Sequence, residues 1–387
     1  MLLKKKKMII FNFFKGNEKE NSFQLNIFKE INKKNINENI TISPISIYHI
    51  LSLTANGAAN STLEEMLNTL CHKDLNEINK SNMLISSIIN KSKTVEFANG
   101  VFTRETPVPS FTQMIKQYEA KIDKLKDANS INKWCSDVTH SKISKVIDFI
   151  SPDDVMILIN AIYFKGSWLK TFNEKYTEKR IFMNCYKDKS LVDFMYMKEK
   201  FDYFEDEKIQ AISLKYKQDN MVATIILPQD NVNDYIENLT LQKYKDLINK
   251  MKNIKVKLYL PKFEINYETE LSNTIKSLGM IQAFSSNANF SSMVDVKDAY
   301  IGKIYHKAYI KIDEKGTVAS AVTYSELRSM NRFRPTIPEM KINRPFLFII
   351  RNEKLPYGDD IFFMSKIEKI EGYPSEFLFI YERLYHH

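Results

Sequence analysis

The stretch from His306 to Thr323, HKAYIKIDEKGTVASAVT, constrains the fold of this 387-residue chain more than any other. It opens as a strand and becomes a run of very small residues: Gly316, Thr317, Val318, Ala319, Ser320, Ala321, Val322 and Thr323. Surface loops draw mainly on Asn, Gly and Pro for their turns. This run instead has the chemistry of a buried strand, yet it leads into a basic segment of 22 residues, Tyr324 to Pro345. A loop able to be a strand points to a two-state device.

The rest of the chain supplies enough apolar material to bury such a strand. Hydrophobic residues make up 44%, with 25 Phe and 20 Tyr. No repeat or long linker divides the chain, so one domain is expected despite a length that suits two or three. The first half reads as helical. Phe23, Ile27, Phe28 and Ile31 share a helical face. Ser43-Pro44 starts a second helix, running through Leu53 to Gly57, with Ser as cap and Pro at the first position. Ser61-Thr-Leu-Glu64 has capping-box spacing and opens a third. The second half reads as strands: Val222 to Leu227, the alternating Ile254, Val256, Leu258 and Leu260, then Phe346 to Ile350 and Ile361 to Ile367. A helix carrying Leu271, Thr274, Ile275 and Leu278 interrupts them and stops at Gly279. Helices first and strands later indicate an α+β fold with large antiparallel sheets.

Several function classes drop out. There is no GxSxG, HExxH, P-loop or GxGxxG, so no enzyme chemistry is signalled. His49, His72, His140 and His306 are isolated, His386-His387 is read as functionless, and the cysteines (Cys71, Cys135 and Cys185) lack metal spacing, so neither metal nor cofactor is expected. The odd cysteine count favours free thiols, with room for one bridge. The net charge is +9, but aromatics do not interleave with a basic stripe, which leaves nucleic-acid binding unsupported. Four lysines and the run Met8 to Phe14 mimic the start of a signal peptide, but no small-x-small cleavage site follows. No window approaches the roughly 20 apolar residues that span a bilayer. Sequons occur at Asn39, Asn60, Asn90, Asn238 and Asn289, as chance allows in an Asn-rich chain.

Eight collinear segments together resemble the serpin family of protease inhibitors. They are NITISPISIYHILSLTANGA (39–58), INKWCSDVTHSKI (131–143), LINAIYFKGSWLKTF (158–172), ATIILP (223–228), LYLPKFEI (258–265), SLGMIQAFSSNANFSSM (277–293), HKAYIKIDEKGT (306–317) and NRPFLFIIR (343–351). The resemblance covers roughly residues 22–367. It implies three β-sheets with about nine helices and an exposed reactive-centre loop. The implied organisation is an N-terminal extension over 1–21, one domain over 22–370 with its loop at about 315–342, and a C-terminal extension over 371–387. The family's polar cluster where the central sheet opens matches Ser43, Ser46, Asn160 and His306, and Trp168 matches the tryptophan where the loop first enters the sheet.

The resemblance implies a monomeric suicide-substrate inhibitor. A serine protease, or as an alternative a cysteine protease, attacks the loop and forms an acyl-enzyme. The freed loop then inserts as a strand and traps the covalent complex. Hinge residues would be Glu314, Gly316, Thr317, Ala319, Ala321 and Thr323; the last four face the core under insertion and are all small. Val318 and Ser320 depart from the family's usual acidic residue and Ala, both on the outward face. The loop is about four residues longer than usual. Counting from the hinge gives Met330-Asn331 as the scissile bond, which implies a chymotrypsin- or cathepsin G-like target. Counting back from Asn343 gives Arg334-Pro335, a poor trypsin-like site. Arg328-Ser329 and Arg332-Phe333 are the rivals and imply trypsin-like targets. Ser365 stands where the family usually has Gly. The family favours a secreted protein, while the missing cleavage site leaves a cytoplasmic one open. A non-inhibitory binding or chaperone-like module is the alternative. A polyanion-dependent regulator is a third reading, although Lys73, Lys80, Lys91 and Lys93 form no clear stripe.

Overall fold

The computed structural model describes residues 22–89, 91–118, 120–186, 188–296, 299–316, 336–374, 376–378, 381 and 383. Its helices are α1 (Phe23–Lys34), α2 (Pro44–Ala55), α3 (Asn60–Thr69), α4 (Leu75–Ile89), α5 (Pro109–Ile115), α6 (Ala128–Val138), α7 (Val232–Glu237), α8 (Leu241–Lys250) and α9 (Ser272–Ser277). Its strands are β1 (Ile40–Ile42), β2 (Val95–Thr103), β3 (Lys121–Lys124), β4 (Met156–Phe164), β5 (Glu178–Met183), β6 (Lys189–Glu205) and β7 (Ile209–Lys215). They continue with β8 (Met221–Pro228), β9 (Lys252–Pro261), β10 (Phe263–Glu270), β11 (Ile301–Ile312), β12 (Glu339–Lys341), β13 (Phe346–Asn352) and β14 (Ile361–Ile367).

Helix α2 is the pivot of the helical half. All twelve of its residues are buried, as expected of a helix that is apolar on nearly every side. It begins as its sequence predicts: Ser43 Oγ accepts the Ser46 N–H at 3.3 Å, with Pro44 opening the first turn. Helix α1 buries its expected face through Phe23, Ile27, Phe28 and Ile31. Helix α3 departs from expectation. It starts at Asn60, and Ala59 at the cap position makes no side-chain cap bond. Ser61 Oγ instead donates to Gln282 Oε1 at 2.6 Å. The neighbouring Glu65 accepts the N–H groups of Ile281 and Gln282, both at 2.7 Å. Partners distant in sequence displaced the local cap.

The strands form two ladders. The large sheet has the order β10-β11-β4-β2-β3. The other runs β1-β14-β13-β8-β7-β6-β9-β12, with β5 added on β6. Two smaller sheets merge in this second ladder because the 17-residue β6 continues through both, pairing with β9 over Phe194–Tyr203 and with β7 over Asp202–Glu205. Strands β8, β13 and β14 are buried throughout and form the floor of the core. In β9, Val256, Leu258 and Leu260 point inward, whereas Ile254 remains 37% exposed, beyond the edge of that core. Gly279 ends the turn after α9 with φ +107°, in the region open to glycine. The three cysteines are free thiols.

The large sheet is covered on both faces. Odd-numbered residues of β4 (Ile157, Ile159 and Ala161) pack beneath α6 and the following segment through Ile131, Cys135, Ile143 and Ile147. Leu158, Ile162 and Phe164 face the main core. Lys307 of β11 donates to the Lys145 carbonyl at 2.8 Å, tying that cover to the sheet.

One buried charge in β14 tests how the floor is held. Lys366 is fully buried and donates to the carbonyls of Asn35 (2.8 Å) and Ile36 (2.7 Å) and to Asn233 Oδ1 (2.7 Å). It also lies 3.3 Å from Glu368. Lys366→Met strands Glu368 and two carbonyls, so it should destabilise by about 3–5 kcal/mol. Denaturant unfolding would show this, and a midpoint equal to wild type would refute it.

Candidate functional site

Two pairs in the large sheet are parallel, β2 with β3 at one edge and β4 with β11 in its interior. Strands β4 and β11 lie side by side in parallel, with His306 directly opposite Asn160. Each is antiparallel to its other neighbour, β2 and β10 respectively. A strand placed between β4 and β11, running opposite to both, would replace one parallel ladder with two antiparallel ones.

A chain of side-chain hydrogen bonds closes this seam from below. The Ser43 N–H donates to His306 Nε2 at 3.2 Å, so the imidazole proton sits on Nδ1 and is donated to Asn160 Oδ1 at 2.5 Å. Ser46 Oγ donates to the same oxygen at 2.8 Å. The Asn160 amide then donates to Asn99 Oδ1 on β2. The Asn99 amide reaches His49 Nδ1 at 3.2 Å, and His49 Nε2 bonds Ser86 Oγ at 3.1 Å. Burial lowers the pKa of His306 to about 3 and that of His49 to about 4. Both rings are therefore neutral, which the donor–acceptor order requires.

A second construction sits above the seam. Beyond β11 the chain turns sharply: the Asp313 N–H donates to the Gly316 carbonyl at 3.0 Å, and the Gly316 N–H to the Asp313 carbonyl at 3.2 Å. Gly316 is bridged antiparallel to Ser167 on one side and to Asp313 on the other. With φ +121°, a Cβ there would fall 2.3 Å from the Gly166 carbonyl oxygen and 2.7 Å from Trp168 N. Only glycine fits. Trp168 stacks on Tyr216 with ring centroids 4.3 Å apart. Its indole N–H donates to the Asp313 carbonyl at 3.0 Å and its backbone N–H to the Lys315 carbonyl at 3.1 Å. Glu314, 6% exposed, accepts from Thr177 Oγ1 at 2.7 Å and pairs with Lys262 at 3.2 Å. Burial alone would raise its pKa, but these hydrogen bonds and the lysine hold it below the usual value.

Ser43, Ser46, Asn160 and His306 are thus brought into mutual contact. Glu314, Gly316 and Trp168 gather at the turn, at the upper end of the same seam. Thr317, Ala319, Ala321 and Thr323, with Arg328, Ser329, Met330, Asn331, Arg332, Phe333 and Arg334, lie outside the described residues. The loop's far end is anchored as β12, which pairs in parallel with β9. Sequence reasoning did not single out His49, Asn99, Ser86, Thr177 or Lys262 as members of the site; each acts through contacts to remote segments. No cluster of metal-ligating residues occurs among the described residues.

Comparison with known proteins gives a consistent result. A family model described as "Serpin (serine protease inhibitor)" matches residues 18–370. Serpin B8 of Homo sapiens is 31% identical over 359 residues, covering 87% of this chain and 95% of that protein. Leukocyte elastase inhibitor of Xenopus laevis is 32% identical over 356 residues, covering 85% and 93%. The crystal structure of a thermophilic serpin, Tengpin, in the native state superposes with a TM-score of 0.82 at 32% identity, covering 90% of this chain and 92% of that one.

Two outcomes follow from the geometry. In the unfolded chain both imidazoles titrate near 6.5; in the fold they titrate near 4 and 3. Their stabilisation is complete above 6.5 and is lost as pH falls toward the folded values. The slope is about 1.4 kcal/mol per pH unit for each ring. Melting temperatures should therefore drop between pH 6.5 and 4, and His49→Gln should flatten the slope; an identical slope in that variant counts against the relay. Separately, Gly316→Val should break the turn, exposing the Trp168 and Phe172 amides that now donate to Lys315 and Glu314. Hydrogen exchange reads this directly, and unchanged protection would mean that the turn tolerates a side chain.

Proposed function

This chain belongs to the serpin family, and we propose on that premise that it inhibits serine proteases as a suicide substrate, with a chymotrypsin- or cathepsin G-like target. The observation that carries the reading is Gly316, bridged at once to Ser167 and Asp313. The segment entering the reactive loop is already laid between the continuations of β4 and β11, as the first rung of an additional strand.

The mechanism follows from that placement. The protease serine attacks the Met330 carbonyl, the Met330-Asn331 bond breaks, and an ester joins Met330 to the enzyme. Residues from Thr317 onward then continue the rung begun at Gly316. Thr317, Ala319, Ala321 and Thr323 face the core, where Asn160 and His306 lie, and their small volume lets them pass between packed strands. One ladder becomes two, and each backbone hydrogen bond gained contributes roughly 1 kcal/mol. That release drives the attached protease along the sheet before water can free it. The native state is held by a kinetic barrier, to which the seam contributes. Leukocyte elastase inhibitor, a relative named for inhibiting a protease, supports the reading by family.

Incubation with chymotrypsin, cathepsin G and trypsin should give an SDS-stable complex, and mass spectrometry should find a released peptide beginning at Asn331. A peptide beginning at Ser329 or Phe333 moves the bond to Arg328 or Arg332 and the target to trypsin-like enzymes. Cleavage with no complex and no rise in thermal stability supports the non-inhibitory alternative. Ala321→Arg would bury a charge during insertion, at a cost of several kcal/mol. It should raise the inhibitor consumed per protease trapped at least ten-fold while cleavage continues; an unchanged ratio would refute insertion through this face.

A further inference from the structure

We propose that the small sheet β5-β6-β9-β12 is a docking surface for this chain's own C-terminal segment, which straps the edge strand β12 to the body of the protein. The family match ends at residue 370. Beyond it, Gly372, Tyr373 and Tyr381 lie against this sheet. Gly372 approaches β6 so closely that a Cβ would fall 2.8 Å from the Leu191 carbonyl oxygen and 2.9 Å from its nitrogen. The Tyr373 N–H donates to the Leu191 carbonyl at 2.8 Å, and its hydroxyl lies 3.0 and 3.1 Å from the Asp193 carboxylate oxygens. Lys179 of β5 sits 3.7 Å above the Tyr373 ring, and Phe377 packs on that ring with centroids 6.2 Å apart. Tyr381 lines a cleft of about 210 Å³ with Arg180 of β5, Phe194 of β6, Tyr259 of β9, and Lys341 and Asn343 at β12.

The described residues therefore touch the sheet at two places, Gly372 and Tyr373 beside β6 and Tyr381 beside β12. Its occupant chemistry fits the face: tyrosines meet a surface where Arg180 stacks 4.2 Å from the Tyr259 ring and Tyr196 lies 4.9 Å from Tyr259. Such cation–π contacts contribute about 0.5–1 kcal/mol each at exposed sites. Strand β12 has need of them. It is three residues long and, among the described residues, pairs only with β9, at the edge of its sheet. Its flanking bonds are few: the Lys257 N–H donates to Pro338 (2.9 Å), the Ile342 N–H to Tyr259 (3.0 Å) and the Met183 N–H to Asn343 (2.8 Å). Short edge strands open locally at low cost. A strap over the cleft raises that cost, and because β12 anchors the far end of the loop, it also resists withdrawal of the intact loop from that end.

This inference does not depend on which protease is bound, or on whether any is. Amide hydrogen exchange on the full chain tests it against two variants, Tyr381→Ala and a chain ending at Pro374. Exchange at Lys257 and Ile342 should be at least five-fold faster in both, with β13 and β14 unchanged. Equal protection at Lys257 and Ile342 in the variants overturns the strap, and so does a uniform acceleration across all strands. Should the shortened chain fail to fold, Tyr381→Ala decides alone.

Discussion

The bond between His306 and Asn160 crosses the parallel ladder in the interior of the large sheet, where parting the strands breaks no antiparallel ladder; the other parallel pair, β2 with β3, lies at the edge. Around it the interior is apolar, so every polar group there must be satisfied within the protein. The relay accomplishes this only when the seam is shut. Asn160 accepts from two donors and donates once, and each partner comes from a different part of the chain: α2, β2 and β11. Parting β4 from β11 would remove one of those donors and leave a buried carbonyl oxygen short, a cost of about 1–3 kcal/mol per group. The seam is closed by polar complementarity more than by packing, and such a closure can be exchanged for another of equal hydrogen-bonding capacity.

The turn above the seam works on a different principle. Here backbone groups are locked by sterics and stacking: Gly316 lies against the Gly166 carbonyl, and Trp168 is pressed on Tyr216. Glu314 adds a charged anchor, since Thr177 and Lys262 both bind it. The two ends differ in a useful way. The upper end fixes where a new strand begins and in which direction it points. The lower relay decides whether there is room for it. On the proposed reading, neither suffices alone, because a strand aimed at a closed seam cannot enter, and an open seam without a fixed first rung would accept any register.

Much of this was legible in the sequence because it is written locally. The start of α2 is announced by Ser43-Pro44. Strands β8, β13 and β14 are continuous apolar runs. Where local signals compete with distant partners, the sequence misleads: the Ser61–Glu64 spacing invites a capping box, but Gln282 and the Ile281 backbone engage that end of α3. The relay beyond Asn160 was illegible for the same reason. His49 to Asn99 spans 50 positions, and Asn99 to Asn160 spans 61. Lys366 hides more thoroughly: it lies in a run read correctly as a buried strand, and nothing nearby in sequence shows that two carbonyls and Glu368 await its ammonium.

Length joins the two ends of the proposed mechanism. Strand β4 has nine residues, an extent of about 30 Å at ~3.3 Å per residue. From Gly316 to Met330 the chain advances fourteen positions, about 46 Å if extended. Because Gly316 sits opposite Ser167, Met156 at the foot of β4 would fall opposite position 327, and an acyl group on Met330 would be carried past the lower edge of the large sheet by roughly 10 Å of chain. Moving the attachment to Arg328 shortens that reach by about 7 Å, and Arg332 lengthens it by the same amount. A tether that is too short presses the enzyme hard against the sheet; one that is too long leaves slack in which the active site can recover and hydrolyse the ester. The hinge count thus carries mechanical meaning that counting back from β13 does not, because only distance from Gly316 determines how tightly the trapped enzyme is held. By this reasoning, extra residues on the β12 side of the scissile bond are tolerated freely, whereas insertions between Gly316 and that bond would loosen the trap.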